Sequence, residues 1–536
     1  MTHGMISAPQ PEAVEAGLEA FKAGGNAVDA AIACALVQTA VDPQMCGIAG
    51  FGNMQVYLPE SGVHTTFDFH GRAPLATRAD MWEHLIEREA EDGWGFILKG
   101  RVNEAGYGAI TSPRTLAAFD AALERFGTMK LADLIAPAIE YCERGVLVRP
   151  HMSEFWNLPP NAGRDANIDI VTKLPATRKI YCNTEGRLVG VGELLKNPDM
   201  GATYRRIAEH GARDFYEGEI ARRIVADMQA HDGLLGMDDL AQCAPEENPP
   251  LWGEFHGYRY STNQPPGGGV MLIEMLNILE NFDLAGMGHN SPEYIRVVAE
   301  AMKLATIDKD IRVGDPRFFE VPLDELTSKA YAAKLAEKIR AGEKAHVERF
   351  NDGGRESKHT TQVSVADEHG NCVTMTHTLG QPSGVVTDGL GFMYNGAMSV
   401  FDPRPGHSNS LAPGKARFTA LSPTIVFEGE KPFLVLGAPG ATYITMGNLQ
   451  VMLNAMVFGM SAQEAVLAPR FAATSDTIEL SNRILRSAER DLVAQGYPVF
   501  RHPVSHTFAW VHAIRIRDGR WDGGADAATD GMAMAV

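Results

Sequence analysis

His359-Thr360-Thr361-Gln362-Val363-Ser364-Val365-Ala366-Asp367, followed by Glu368-His369-Gly370-Asn371 and a second run that closes on Thr376-His377-Thr378, reads as a β-hairpin that begins and ends on threonine. Thr361, Val363 and Val365 fall on one face and Thr360, Gln362 and Ser364 on the other, the two-residue period of a half-buried strand. The connecting turn carries a glycine, as a hairpin needs. A two-residue turn centred on His369 and Gly370 pairs Thr361 with Thr378, whereas a five-residue loop pairs Thr360 with Thr378 directly. Either register brings the two hydroxyls near each other, since opposite and diagonal positions lie roughly 4.5 to 8 Å apart. By itself such a pair is ordinary β-propensity; the surrounding chain gives it weight.

The hairpin is followed by Ser422-Pro-Thr-Ile-Val426, Gly437-Ala-Pro-Gly-Ala441 and Ala468-Pro-Arg-Phe471. Upstream stand Gly24-Gly-Asn-Ala-Val-Asp-Ala-Ala31, Asp68-Phe-His-Gly-Arg-Ala-Pro74, Gln264-Pro-Pro-Gly-Gly-Gly269 and Gly314-Asp-Pro316, and Gly523-Gly-Ala-Asp-Ala-Ala-Thr-Asp-Gly531 closes the chain. In that order these segments resemble the γ-glutamyltranspeptidases, which are N-terminal nucleophile hydrolases, over nearly the whole length. The resemblance implies an α+β fold, a four-layer αββα sandwich built as one body. It also implies cleavage between His359 and Thr360, giving a large subunit, 1–359, and a small one, 360–536, that stay together as a heterodimer.

The resemblance assigns roles to residues. Thr360 is the nucleophile, first toward its own peptide bond and then toward a substrate amide. Once it is N-terminal, its α-amino group, which titrates near pH ~8, can act as the base. Thr378 matches the hydroxyl that hydrogen-bonds the nucleophile, and Gly440 and Ala441 match a Gly-Gly oxyanion hole whose donors are backbone N–H groups.

The substrate pocket departs from the family pattern. His70 occupies the place of the arginine that binds the α-carboxylate, with Arg72 two residues on and on the same face if the strand stays extended. Thr419 and Ala420 replace two serines. Gly380, Ala397 and Val400 stand where Asn, Gln and Asp side chains hold the α-ammonium. Burying an unpaired ammonium costs several kcal/mol, so these positions predict a carboxylate-bearing acyl group without an α-amine, such as a glutaryl, another dicarboxylic or an oxamate-like mono-amide. The expected activity is amide hydrolysis through a threonyl acyl-enzyme. The alternatives are true γ-glutamyl transfer and an uncleaved, non-catalytic binding homologue.

The remaining features narrow the field. With 536 residues and a formal net charge of -19, nucleic acid and anionic membrane surfaces are poor partners; the expected partner is a small-molecule amide, with further homo-oligomerisation left open. The first residues lack a basic and an apolar segment, so a cytoplasmic location is expected. The apolar run 30–41 is too short to span a membrane and reads as a buried helix. Six scattered cysteines point to buried thiols, without a disulfide framework or zinc site. Residues 265–269 lack the Gly-Lys-Ser/Thr of a phosphate loop and read as a place of close backbone packing, so no cofactor is expected. His502, His506 and His512 read as structural. Amphipathic helices are expected at 117–126 and 131–142, a single strand at 255–262, a helix at 270–279 and a surface loop at 341–358.

Overall fold

Two antiparallel sheets organise the chain, for which a computed structural model describes residues 3–90, 95–160, 163–348, 360–504 and 508–536. In chain order their strands are β1 (Gly4–Ala8), β2 (Phe51–Leu58), β3 (Val63–Phe69), β4 (Glu246–Asn248), β5 (Leu251–Phe255), β6 (Tyr258–Thr262) and β7 (Thr361–Asp367). They continue with β8 (Cys372–Thr378), β9 (Thr424–Glu428), β10 (Lys431–Gly437), β11 (His512–Arg517), β12 (Arg520–Ala525) and β13 (Met532–Ala535). One sheet has the order β13-β1-β7-β8-β2-β3-β4 and the other β12-β11-β10-β9-β6-β5.

Three apolar clusters define the layers. The first joins α1 (Pro11–Lys22) and α2 (Ala27–Val41) to Val363, Val365, Val373 and Met375 on the outer face of the first sheet. The second joins α3 (Gly269–Leu279), α4 (Pro292–Arg312) and α5 (Ile444–Met456) to Tyr260, Val426, Leu434 and Leu436 of the second sheet. Between the sheets lie Met5, Ala366, Cys372, Ile425, Phe427, Val435 and Ile514. The result is the four-layer αββα sandwich of the α+β class.

The Gly-Gly-Asn-Ala-Val-Asp motif has a local purpose. Asn26 caps α2 by accepting from the Val28 and Asp29 N–H groups, while Asp29 accepts from the Asn26 N–H. Asp29 also binds the Thr128 and Met129 N–H groups, tying this helix start to a distant loop. Every residue of α2 is buried, so the apolar run 30–41 is a core helix.

The hairpin takes the five-residue loop: Thr361 pairs with His377 and Ala366 with Cys372, so Thr360 and Thr378 come opposite each other at its open end. The strand is not half-buried, because both of its faces are covered. The polar face turns toward the second sheet instead of solvent and is satisfied there. Gln362 Nε2 donates to Thr374 Oγ1 at 2.9 Å, Thr376 Oγ1 to Gln362 Oε1 at 2.6 Å, Ser364 Oγ to the His512 carbonyl at 3.0 Å and Thr374 Oγ1 to the Leu436 carbonyl at 2.9 Å.

Two expectations need correction. The segment 255–262 is not one strand: Phe255 ends β5, the chain turns at His256 and Gly257, both at positive φ (46° and 84°) as a tight two-residue turn demands, and β6 runs over Tyr258–Thr262. The helix expected at 131–142 is two helices, Leu131–Leu134 and Ala136–Arg144, restarting where a proline occupies the first turn. The loop expected at 341–358 lies partly outside the described residues, as do His359 and His506. Among the described residues no helix is long and apolar enough to cross a membrane.

Strands from before and after position 360 alternate within the first sheet: β1 sits between β13 and β7, and β8 pairs with β2. In the second sheet β6 pairs with β9. Residues 360–536 therefore hold neighbours in both sheets that come from 1–359.

Candidate active site

Thr360 lies at the edge of the inter-sheet space, just before β7, and is 6% exposed. Its Oγ1 donates to Thr378 Oγ1 at 3.1 Å, and the same Thr378 oxygen accepts the Gly380 N–H at 2.8 Å. The pairing follows from the ladder register, which also sets Phe51 of β2 opposite Thr378. Small residues permit this approach, since a Cβ at Gly50 or Gly52 would overlap the carbonyl oxygens of Thr378 and Thr376.

Gly440 and Ala441 follow β10 and lead through a 3-10 turn, Ala441–Tyr443, into α5. The N–H groups at such a helix start have no partner within the helix and face outward with its positive dipole end, which suits them to a developing oxyanion. Gly440 has φ 146°, and Ala441 has φ 50° in the left-handed region. The alanine thus keeps a backbone conformation that glycine adopts more readily. The turn is held from behind: Tyr443 donates its hydroxyl to both Glu479 oxygens at 3.0 Å, and His502 Nε2 lies 2.7 Å from Glu479 Oε2. His502 is a scaffold residue, and burial pushes the His512 imidazole down to about 4.

The pocket positions are distributed as follows. His70 is 2% exposed, and its Nδ1 lies 2.5 Å from Asp68 Oδ1. Burial alone would raise the Asp68 carboxyl, but His70 holds it below the usual carboxylate range. With Nδ1 committed to Asp68, His70 Nε2 is buried without a hydrogen-bond partner among the described residues. Arg72 does not stay on the same extended face: β3 ends at Phe69, and Arg72 forms a bridge with Ala416 and an ion pair with Glu246. Its side chain lines a cleft of about 370 Å³ shared with Glu246, Gln264, Pro266, Asp315 and Arg317.

Sequence reasoning passed over Arg417. Since Ala416 pairs with Arg72, the next residue projects to the other side. There its guanidinium carbon lies 4.9 Å from the centre of the Phe51 ring, and Nη1 donates to the Phe418 carbonyl at 2.7 Å. Nη2 lies 3.6 Å from the point where a Cβ on Gly380 would sit. A basic residue two positions before Thr419, flanked by Ala416 and Phe418, was the available signal.

Thr419 and Ala420 pack backbone to backbone on the glycine loop: the Thr419 N–H donates to the Pro266 carbonyl at 2.9 Å, and the Gly268 N–H to the Leu421 carbonyl at 2.9 Å. A Cβ at Gly268 would sit 2.6 Å from the Ala420 oxygen, so the loop requires glycine for contact. Ala397 and Val400 lie in a buried 3-10 turn, Ala397–Val400. The preceding Gly396 N–H donates to the Leu379 carbonyl, next to Thr378. Among the described residues no group of His, Cys, Asp and Glu side chains forms a metal site.

A family model described as Gamma-glutamyltranspeptidase matches residues 13–536. The Acylase ACY 1 proenzyme of Pseudomonas sp. (strain V22) is 35% identical over 540 residues, covering 100% of this chain and 94% of the relative. The Glutathione hydrolase proenzyme of Escherichia coli (strain K12) is 32% identical over 484 residues, covering 87% of this chain and 80% of the relative. The crystal structure of cephalosporin acylase from Bacillus halodurans matches with a TM-score of 0.88 at 28% identity, covering 99% of this chain and 96% of that one.

Proposed function

This chain belongs to the γ-glutamyltranspeptidase family, and from that premise we propose that it hydrolyses the amide bond of a small, carboxylate-bearing acyl group that lacks an α-amine. The family and the acylase and glutathione hydrolase relatives make it an amide hydrolase or acyltransferase with a threonine nucleophile.

In maturation, Thr360 Oγ1 attacks the carbonyl carbon of residue 359. The C–N bond breaks as the C–O bond forms, and water hydrolyses the resulting ester to release 1–359 with a carboxylate end and 360–536 with a free α-amino group. In turnover that amino group takes the Oγ1 proton as Oγ1 adds to the substrate carbonyl. The N–H groups of Gly440 and Ala441 stabilise the oxyanion, and the proton passes to the departing amine. Water then attacks the ester and restores the hydroxyl. Thr378 positions Oγ1 throughout.

One observation carries the substrate reading: the place of the family's ammonium-binding asparagine is Gly380, which has no side chain and is bordered by the Phe51 ring and, farther off, by Arg417. A glutamyl ammonium placed there would be buried without an acceptor, at a cost of several kcal/mol. Gly380, Ala397 and Val400 offer no side-chain acceptor. His70, with its inner nitrogen fixed by Asp68, presents Nε2 to the substrate. The glutathione hydrolase relatives favour γ-glutamyl transfer as the second reading. The two separate on paired anilides: glutaryl p-nitroanilide should be cut at least ~100-fold more efficiently than γ-glutamyl p-nitroanilide, a factor that corresponds to about 2.7 kcal/mol. Equal or faster turnover of the glutamyl compound sinks the proposal.

A further inference from the structure

We propose that Gln10 and Gln38 are positioning residues for the nucleophile: from the outer face of the first sheet they clamp the start of β7, and so keep Thr360 against Thr378 in the processed enzyme, where Thr360 is a free chain end. This rests on Thr360 being the nucleophile and assigns to two side chains behind the strand the task of holding it in place.

The need arises from the sheet. β1 pairs with β7 only from Gly4–Asp367 to Ser7–Ser364, so among the described residues the first residues of β7 have β8 on one side and no strand on the other. Chain ends fray unless something ties them down, and cleavage before Thr360 turns this stretch into such an end. The glutamines supply the tie. Gln38 Nε2 donates to the Gln362 carbonyl at 3.1 Å and to Gln10 Oε1 at 2.7 Å. Gln10 Oε1 also accepts the Thr361 hydroxyl at 3.3 Å, and Gln38 Oε1 lies 2.8 Å from His377 Nε2. Thr361 and His377 are the cross-strand pair next to Thr360 and Thr378, so both members of the hydroxyl pair are held through a neighbour ~3.8 Å away along the chain.

The direction of each bond is fixed. Gln10 Nε2 donates to Asp42 Oδ2 at 2.5 Å. A carboxylate and a backbone carbonyl only accept, so each glutamine turns its oxygen toward the hairpin. Burial pushes the His377 imidazole down to about 3, and its Nδ1 has no hydrogen-bond partner among the described residues, so the neutral ring donates from Nε2. Asp42, the C-cap of α2, is itself held by Gln44 Nε2 and by His151. The placement of the two glutamines is otherwise unexpected. Gln10 stands at the N-cap of α1, a position that favours shorter polar side chains, yet makes no capping bond. Gln38 is fully buried within the apolar run 30–41, where an amide is costly unless its polar atoms are paired.

The test compares processed wild type with Gln10→Met, Gln38→Met and Thr361→Val, the last removing one hydroxyl while keeping the β-branched shape. Hydrogen exchange read by mass spectrometry at the amides of 361–364 should quicken about fivefold in Thr361→Val, where one hydrogen bond is lost, and ~10-fold or more in the glutamine variants. Exchange at the turn end of the hairpin, 370–373, should stay within twofold, whereas a general loss of stability would loosen both ends alike. On whichever of glutaryl and γ-glutamyl p-nitroanilide the wild type cuts, kcat should fall by similar factors with KM within twofold, and Thr361→Ser, which keeps the hydroxyl, should recover most of the loss. Thr361→Val covers the case in which the glutamine variants do not mature. Exchange at 361–364 within twofold of wild type in Thr361→Val and in every variant that matures, or protection lost equally along the hairpin, overturns the clamp. A wild-type chain that never splits before Thr360 overturns the reading of Thr360 as nucleophile instead.

Discussion

Replacing Thr378 with valine isolates the hydroxyl pair, because valine keeps the shape and β-branching of threonine and removes one oxygen. That oxygen accepts two hydrogen bonds, from Thr360 Oγ1 at 3.1 Å and from the Gly380 N–H at 2.8 Å. Each is worth roughly 1 kcal/mol net, and stranding a part-buried N–H adds about as much again, so stability should fall by ~2–3 kcal/mol. Catalysis should suffer more. The Thr360 hydroxyl loses the contact that fixes its position, and a displacement on the order of 1 Å at a reacting atom costs ~10²-fold. Both the self-cleavage rate and kcat should drop by about that factor, while Thr378→Ser, which keeps an acceptor, should stay within about fivefold of wild type. Denaturing mass spectrometry over a time course reads the cleavage, and anilide hydrolysis by the processed fraction reads kcat. Thr378→Val maturing and turning over within fivefold of wild type would refute the positioning role.

The oxyanion turn makes a paired prediction. A Cβ on Gly440 would stand 2.6 Å from Ala509 Cα, at a φ of 146° that few other residues adopt, so Gly440→Ala should displace the donor and lower kcat ~10²- to 10³-fold. Ala441→Gly should be benign in the same kinetic assay: it relieves left-handed strain of about 1 kcal/mol against a similar entropic cost of roughly 0.5–1 kcal/mol. His151 supplies a pH prediction for urea unfolding. Burial disfavours its charge, but the carboxylates of Asp42, at 3.7 Å, and Asp530, at 3.2 Å, outweigh that and raise the imidazole from 6.5 to about 9. Its contribution is therefore complete below pH 6.5 and lost as pH rises through about 9, on the order of 3 kcal/mol; His151→Gln should remove that slope, and an unchanged slope counts against the ion pair.

The threonine hairpin was legible because its two-residue period survives whatever covers it. What covers it was not legible: Gln362, Ser364, Thr374 and Thr376 form the polar face that solvent would also select, yet they pack against the second sheet. The turn at His256-Gly257 was missed because histidine seldom marks a tight turn, although both residues take positive φ. Arg72 was expected on the wrong side because the end of β3 at Phe69 is set by the bridge to Ala416, a contact 344 positions away in sequence. The same bridge directs Arg417, so a local pattern could mark the residue but not the side of the chain on which it lies.

The two halves of the site tolerate change differently, and this accounts for how a familiar nucleophile can sit in an unfamiliar pocket. In the proposed mechanism attack and oxyanion stabilisation draw on two hydroxyls and on backbone N–H groups, so Ala441 can stand for a glycine provided its φ of 50° is kept. Acyl recognition draws on side chains, where single substitutions change sign. Losing the acceptors at positions 380, 397 and 400 would by itself leave a glutamyl ammonium unpaired. Placing Arg417 beside those acceptors would set a cation against the ammonium they bind. In the proposed reading each change weakens glutamyl binding, and together they disfavour an ammonium at this place. At Gly380 a side chain would be crowded as well as strained, since a Cβ there would stand 3.1 Å from the Phe51 ring at a φ of 70°.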